Sequence, residues 1–275
     1  MKNYPESYYS YSLDRKLLSY PIISESYECD LCIIGGGFTG LSAAIEAAKK
    51  NLKVILLEQN KIAWGASGRN GGQIAPDIAN GVQHLESKYG FDTVEKLWQL
   101  SINAVKLIDQ RISEFNIKCD KKTGSLEAAT NLSKFKDFED DIKYYQKKLN
   151  YNSSAILNKD QIGSAIGSDR YFGGHYHSIG GHIHPLKYAL GLADAATSLG
   201  VNIFENSQAI KITEEKSFVE VLTKNGKIKA KNIALCCNAY LDELNSDIRN
   251  KIMPIINYMI ATKPLNLEHQ DVVLP

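Results

Sequence analysis

The 275-residue sequence has almost no charge imbalance: 32 Lys and Arg stand against 31 Asp and Glu, a net charge of +1. Without a basic excess there is no electrostatic case for nucleic acid or an anionic membrane as a partner. Lysine pairs such as Lys121-Lys122 and Lys147-Lys148 read as solvated faces. The first stretch, Met1 to Tyr20, is rich in Tyr and Ser and has neither a basic start nor a continuous apolar core. We therefore expect no signal peptide and no membrane span there. Cysteine is sparse and odd in number, at positions 29, 32, 119, 236 and 237. Most of these lie inside apolar strand patterns, which suits reduced buried thiols in a cytoplasmic protein better than a disulfide framework. Cys29 and Cys32 spell C-x-x-C, but strand alternation sends residues three apart to opposite faces, so neither a redox nor a zinc pair is expected.

What is present is an ordinary globular composition, 44% hydrophobic and 23% charged, in a chain long enough for one large or two modest cores. The stretch from Cys29 to Gly40 organises the rest. Leu31 to Ile34 is an apolar, strand-forming run, Gly35, Gly37 and Gly40 fit G-x-G-x-x-G, and Leu41 to Lys50 is an alanine-rich helix former. Gly35 permits a sharp turn, Gly37 lets a pyrophosphate approach the backbone, and Gly40 lets the helix pack closely on the strand. The helix start then offers free N–H groups and a positive dipole end to an anion. A second strand, Lys53 to Glu58, ends in an acid whose carboxylate suits the two hydroxyls of an adenosine ribose and repels a 2′-phosphate. The glycine pattern alone does not separate FAD from NAD.

Ile62 to Ala75 follows, with Gly65, Gly68, Gly71 and Gly72 among Ser67, Arg69, Asn70 and Gln73, and is expected to be irregular. Its density of backbone donors and polar side chains suits a loop wrapped around a phosphorylated, polyhydroxylated ligand. Further on, Val94, Leu97, Trp98, Val105, Ile108, Ile112 and Phe115 recur at helical spacing over 92–115, as do Phe135, Phe138, Ile142, Tyr145 and Leu149 over 134–149; both stripes read as core. Cys119 to Thr130 reads as a strand bent at Thr123-Gly124. Two His-x-His pairs, His175/His177 and His182/His184, put four imidazoles close in sequence, but no Cys or carboxylate cluster completes a metal site, and none is expected. Pro185 opens a helix that Gly200 closes. Short strands are expected at 201–205, 209–213, 218–223 and 227–230, with Asn225-Gly226 as a hairpin turn, then a fully buried parallel strand at 233–237 and a last strand over 252–262.

Gly35-Gly-Gly-Phe-Thr-Gly-Leu-Ser42, Glu58, Trp64 to Gln73 and Gly180-Gly-His-Ile-His-Pro-Leu186 together resemble the FAD-dependent amine and amino-acid oxidoreductases of the D-amino-acid oxidase superfamily, and within it the gamma-glutamylputrescine oxidases. The resemblance implies an α/β fold, a Rossmann-like FAD-binding domain of the glutathione-reductase type with an interleaved α+β substrate domain. The implied division is residues 1–88 and 166–238 for FAD, and 89–165 and 239–275 for substrate. It implies FAD held by Gly35, Gly37, Phe38, Thr39, Gly40 and Glu58, with Ala66, Ser67, Gly68, Arg69, Asn70, Gly71, Gly72 and Gln73 along the pyrophosphate, ribityl chain and flavin ring. Backbone near Ala209 is implied to meet the adenine, and Asn238 stands where the superfamily often has a glycine. His182 and His184 are the substrate-side candidates, with hydrogen-bonded structural roles as the alternative; no residue announces itself as an essential base. The implied activity is oxidation of an amine C–N bond in polyamine catabolism, with oxygen or another electron acceptor. The alternatives are an amino-acid oxidase or dehydrogenase and a non-catalytic nucleotide-binding protein. By the same resemblance the chain looks like a fragment lacking a C-terminal third.

Overall fold

A computed structural model describes residues 4–15 and 18–266. In chain order, a short helix α1 (Tyr8–Tyr11) precedes β1 (Ser26–Ile34), α2 (Phe38–Lys49) and β2 (Val54–Leu57). The expected irregular loop holds one 3-10 turn, Ala66–Gly68, and ends in the two-residue strand β3 (Gln73–Ile74). Then come α3 (Val82–Tyr89), α4 (Phe91–Glu114), β4 (Lys122–Ala128), α5 (Leu132–Lys148), β5 (Ser154–Leu157), α6 (Lys159–Ile166), β6 (Gly174–His182) and α7 (Pro185–Ser198). The chain continues through β7 (Asn202–Phe204), β8 (Ala209–Glu214), β9 (Val219–Thr223) and β10 (Lys227–Leu235) to a short α8 (Ser246–Arg249).

Among the described residues these elements divide into two compact units, one made of residues up to 71 with 111–119 and 184–259, the other of residues 72–110, 120–183 and those from 260 on. The expected boundaries fall elsewhere. Residues 72–88 and 166–183 join the second unit because β3 and β6 share a sheet there and Val82 enters that unit's core. Residues 111–119 and 239–259 join the first, and 267–275 of the expected substrate domain lie outside the described residues.

The first unit is built on a six-stranded sheet ordered β7-β2-β1-β10-β9-β8, parallel from β7 to β10, with β9 and β8 antiparallel at the edge. Ile34, Ile55, Leu57, Phe204, Val221 and Ile228 form a buried core with the sheet. The 227–237 stretch departs from expectation twice. Instead of two strands, β10 is one continuous strand hydrogen-bonded to β1 on one side and β9 on the other. Its second half is only half-buried: Ile233, Leu235 and Cys237 pack on the core, while Ala234 and Cys236 alternate to the other face. The α2 and α7 helices pack together, and α7 is buried along most of its length, which its Ala-, Leu- and Gly-rich sequence permits. Buried Arg111 ties the last turn of α4 to α2, donating to Ser42 Oγ at 2.6 Å and to Glu46 Oε1 at 2.9 Å.

The C-x-x-C reading needs correction. The N–H groups of both Asp30 and Leu31 donate to the Lys53 carbonyl, at 2.9 and 3.2 Å. The two donors share one acceptor, the register with β10 stays one-to-one, and Cys29 and Cys32 nevertheless enter the same core cluster. Burial raises the Cys29 thiol to about 11 and holds Cys32 higher still, so both remain protonated and inert.

The second unit holds β3-β6-β4 in antiparallel array, with β5 also paired to β6. The expected bend at Thr123-Gly124 is a bulge inside β4. The buried stripe of α4 runs through Val94, Trp98, Ile102 and Val105; Leu97 is exposed. Trp98 stacks on Tyr145 of α5 at 4.7 Å between ring centroids.

The expected strand at 252–262 is absent. These residues have no regular structure, and Met253, Ile255, Ile256, Tyr258 and Ile260 are exposed. A strand exists only through a hydrogen-bonded partner, and among the described residues none pairs with this apolar run.

Candidate cofactor site

The end of β1 turns through Gly35, Gly36 and Gly37 into α2. At each of these positions a side chain would strike something specific. A Cβ on Gly35 (φ +114°) would lie 2.5 Å from the Cys236 carbonyl oxygen, and one on Gly37 would lie 2.7 Å from Ser67 Oγ. On Gly40 it would collide with the Gly35 carbonyl, which is the close helix–strand approach expected from the motif. The Ser67 hydroxyl accepts the Phe38 N–H at 3.0 Å, and the helix start has neither an acidic residue in its first turn nor a side-chain cap from Gly37. Positive dipole end and backbone donors are thus left for an anion.

Glu58 stands one residue past β2. Its carboxylate accepts the N–H of Gly36 and the N–H of Asn60, each at 2.8 Å. Burial raises its pKa above the ordinary glutamate value, and those backbone hydrogen bonds oppose the rise. A carboxylate has about four acceptor sites, so further donors such as ribose hydroxyls can still be accommodated.

The sequence reading missed the side chain that holds this turn. Glu205, at the end of β7 and 1% exposed, accepts the Ile62 N–H at 2.8 Å and pairs with Lys61 at 3.1 Å. A buried acid requires such partners. The one available signal was an acid closing the apolar pattern Val201 to Phe204.

These segments enclose a cavity of about 370 Å³, within the range of ligand pockets. Its walls include Gly35 to Gly37, Glu58 to Asn60, Ala63 to Ser67, Ser207 to Ile210, and the stretch from Cys236 to Leu244. Of the expected contacts, Gly35, Gly37, Glu58, Ala66, Ser67 and Ala209 line it. Phe38 packs instead on Tyr188, Thr39 is exposed, and Gly40 and Gly68 are buried helix and turn positions. Asn70 folds back to donate to the Ala66 and Ser67 carbonyls, and Arg69 donates to Gly65 O and Tyr240 Oη. Gly71 ends the first unit. Gly72 and Gln73 belong to the second, where Gly72 O accepts the Ile183 N–H and Gln73 pairs with His182. Tyr240 and Asp242 to Leu244 are wall residues that no sequence pattern announced; Asn238, with φ +51°, is one as well.

The four histidines take separate roles. His175 and His177 are buried, with ring centroids 4.0 Å apart, and Ser154 Oγ lies 3.1 Å from His177 Nδ1. His182 ends β6 with its side chain exposed. His184 caps α7: its Nδ1 accepts the Lys187 N–H at 3.1 Å and its Nε2 lies 3.0 Å from Ser12 Oγ, with Tyr9 edge-on to the ring. The N-terminal arm therefore docks on α7, helped by Arg15–Asp194 and Lys187–Asp14 pairs.

A cavity with a Cβ-free turn, a helix start whose N-cap glycine supplies no side chain, and a carboxylate just past β2 fits the nucleotide half of a dinucleotide such as FAD. The sequence is 37% identical to the probable oxidoreductase OrdL of Haemophilus influenzae over 98% of this chain and 64% of that protein. It is 33% identical to the gamma-glutamylputrescine oxidoreductase of Escherichia coli over 100% of this chain and 64% of that protein. The chain thus spans just under two thirds of the length of these relatives. Among solved structures, glycine oxidase from Geobacillus kaustophilus superposes with a TM-score of 0.67 at 19% identity, over 81% of this chain and 58% of that one. L-proline dehydrogenase from P. horikoshii gives 0.68 at 20% identity, over 80% and 56%. Residues 30–275 match the profile of the FAD dependent oxidoreductase (DAO) family, and the chain belongs to that family.

Proposed function

We propose that this chain forms the FAD-holding part of an oxidoreductase that oxidises the C–N bond of an amine, gamma-glutamylputrescine or a related polyamine conjugate. The observation that carries the cofactor half is the cavity in which Glu58, the Gly35 to Gly37 turn and Ser67 converge. The substrate half rests on the name of the E. coli relative, similar over the full length of this chain.

Bound FAD supplies a two-electron acceptor. The neutral amine loses a hydride equivalent from its α-carbon and a proton from nitrogen, and the imine then hydrolyses to an aldehyde; oxygen or another acceptor takes the electrons onward. The chain's own part is binding and orientation. The Gly35 to Gly37 turn at the start of α2 would hold the pyrophosphate, Glu58 would accept from the ribose, and the backbone around Ala209 would meet the adenine. Of the two substrate-side histidines, His182 is the one assigned to substrate contact, since both ring nitrogens of His184 are engaged in holding α7 and the N-terminal arm. All five cysteines are free thiols, which suits a reducing compartment, and we place the protein in the cytoplasm. Among the described residues no helix is long and apolar enough to cross a membrane.

The test is anaerobic mixing of the FAD-loaded protein with gamma-glutamylputrescine, D-alanine or glycine. Bleaching of the flavin band by the polyamine conjugate and not by the amino acids is expected. Faster reduction by an amino acid would move the assignment to an amino-acid oxidase or dehydrogenase.

A further inference from the structure

Two walls of the cavity come from distant parts of the chain: the loop after β2, and the 3-10 turn Asn238–Tyr240 that follows β10. They are joined through one residue. Arg69 Nη2 donates to Tyr240 Oη at 3.0 Å, across 171 positions of sequence. The Arg69 guanidinium lies over the Trp64 ring at 4.8 Å, and Trp64 meets Tyr240 edge-on at 6.3 Å between centroids. A Cβ on Gly65 would lie 3.1 Å from the Tyr240 ring, so the loop backbone sits directly against it. Arg69 is itself steadied by donating Nε to the Gly65 carbonyl at 3.3 Å.

Trp64, Gly65 and Tyr240 all line the cavity. The turn carrying Tyr240 adds no strand to the sheet; its backbone hydrogen bond is a local one, Tyr240 N–H to Cys237 O at 3.0 Å. The Arg69–Tyr240 hydrogen bond and the Trp64–Tyr240 ring contact tie this wall to the loop after β2. We propose that Trp64, Arg69 and Tyr240 form a clasp between the two walls, which must part for FAD to enter or leave. This rests on the FAD reading above. A contact that touches only bound nucleotide changes its dissociation alone. A clasp closed in both the empty and the loaded protein slows entry and exit together, and leaves affinity nearly unchanged.

The experiment measures FAD association by stopped-flow flavin fluorescence and dissociation by displacement, using the full chain and its Tyr240→Phe, Arg69→Gln and doubly substituted variants. Tyr240→Phe keeps the ring and removes only the hydroxyl, so the fold is expected to survive, which the thermal unfolding of the FAD-free protein checks. The expected result is that both rates rise by about fivefold, the effect of one hydrogen bond of ordinary net strength. The double variant should be no faster than Arg69→Gln alone, because Tyr240→Phe removes only the bond that Arg69→Gln has already broken. A rise in dissociation alone would make Tyr240 a nucleotide contact and overturn the clasp, as would unchanged rates or additive effects in the double variant. If the unsubstituted chain takes up no FAD, the cofactor reading itself fails and the clasp falls with it.

Discussion

The carboxylate of Glu58 accepts the backbone N–H of Gly36 at 2.8 Å, joining the end of β2 to the glycine turn that ends β1. One side chain thereby both shapes the turn and faces the cavity. Glu58→Gln keeps the size and one acceptor oxygen but loses the charge that strengthens bonds from backbone and ribose donors. FAD affinity should fall by about 1–3 kcal/mol, read by fluorescence titration. Equal affinity would mean that the carboxylate serves the turn and not the nucleotide.

Gly40→Ala tests the helix–strand approach. Its Cβ would run into the Gly35 carbonyl, and backbone cannot swing aside as a flexible side chain can. We expect a loss of about 1–3 kcal/mol of stability from overpacking, with FAD binding lost as the turn shifts. Thermal unfolding with and without FAD separates the two effects, and an unaltered melting curve would refute the packing argument.

The buried pair His175 and His177 makes the second unit sensitive to acid. Burial lowers His175 from 6.5 to about 4, with His177 and Lys134 adding to the shift, and burial lowers His177 while Asp77 opposes it. Between the unfolded and folded values the unfolded chain binds more protons, so stability falls as pH drops below about 6.5 and levels off near 4. For His175 alone the full loss is about 3 kcal/mol. Among the described residues His175 Nε2 has no hydrogen-bond partner, so His175→Phe should match the parent at pH 7 and lose less stability on acidification. Denaturant melts across this range decide it; parallel pH curves for the two proteins would count against the buried-imidazole account.

The proposed reaction carries its own pH signature. An ammonium group has no lone pair to assist hydride loss, so anaerobic flavin reduction by the polyamine conjugate should accelerate as pH rises toward the amine's pKa. A rate that is flat across this range would exclude a neutral amine as the reacting form.

Local signals in the sequence were enough for the glycine turn, because its three glycines lie within one strand–turn–helix. Gly35, Gly37, Gly40 and Glu58 are recognisable from spacing alone, and the structure puts them where steric and electrostatic reasons require. The same holds for α4 and α5, whose buried faces follow helical period, and for Pro185 at the start of α7. One local signal went unread: Asn158 and Gln161 form a capping box and Gly167 (φ +64°) closes the helix, which mark α6 as plainly as any motif.

Tertiary structure alone decided the remainder. Cys29 and Cys32 pack into one core cluster, which strict strand alternation does not anticipate. Residues 227–235 became one strand because β1 offers a ladder along their whole length, while 252–262, just as apolar, has no such partner among the described residues and stays irregular. Glu205 beneath the Lys61-Ile62 turn and Tyr240 against Arg69 are pairings across 143 or more positions. Sequence by itself determined the glycine turn between β1 and α2, since its steric requirements are met within a few residues of each other. Which side chains wall the cavity was decided by distant pairing, since residues so far apart in the chain meet only when the sheet brings its strand ends together.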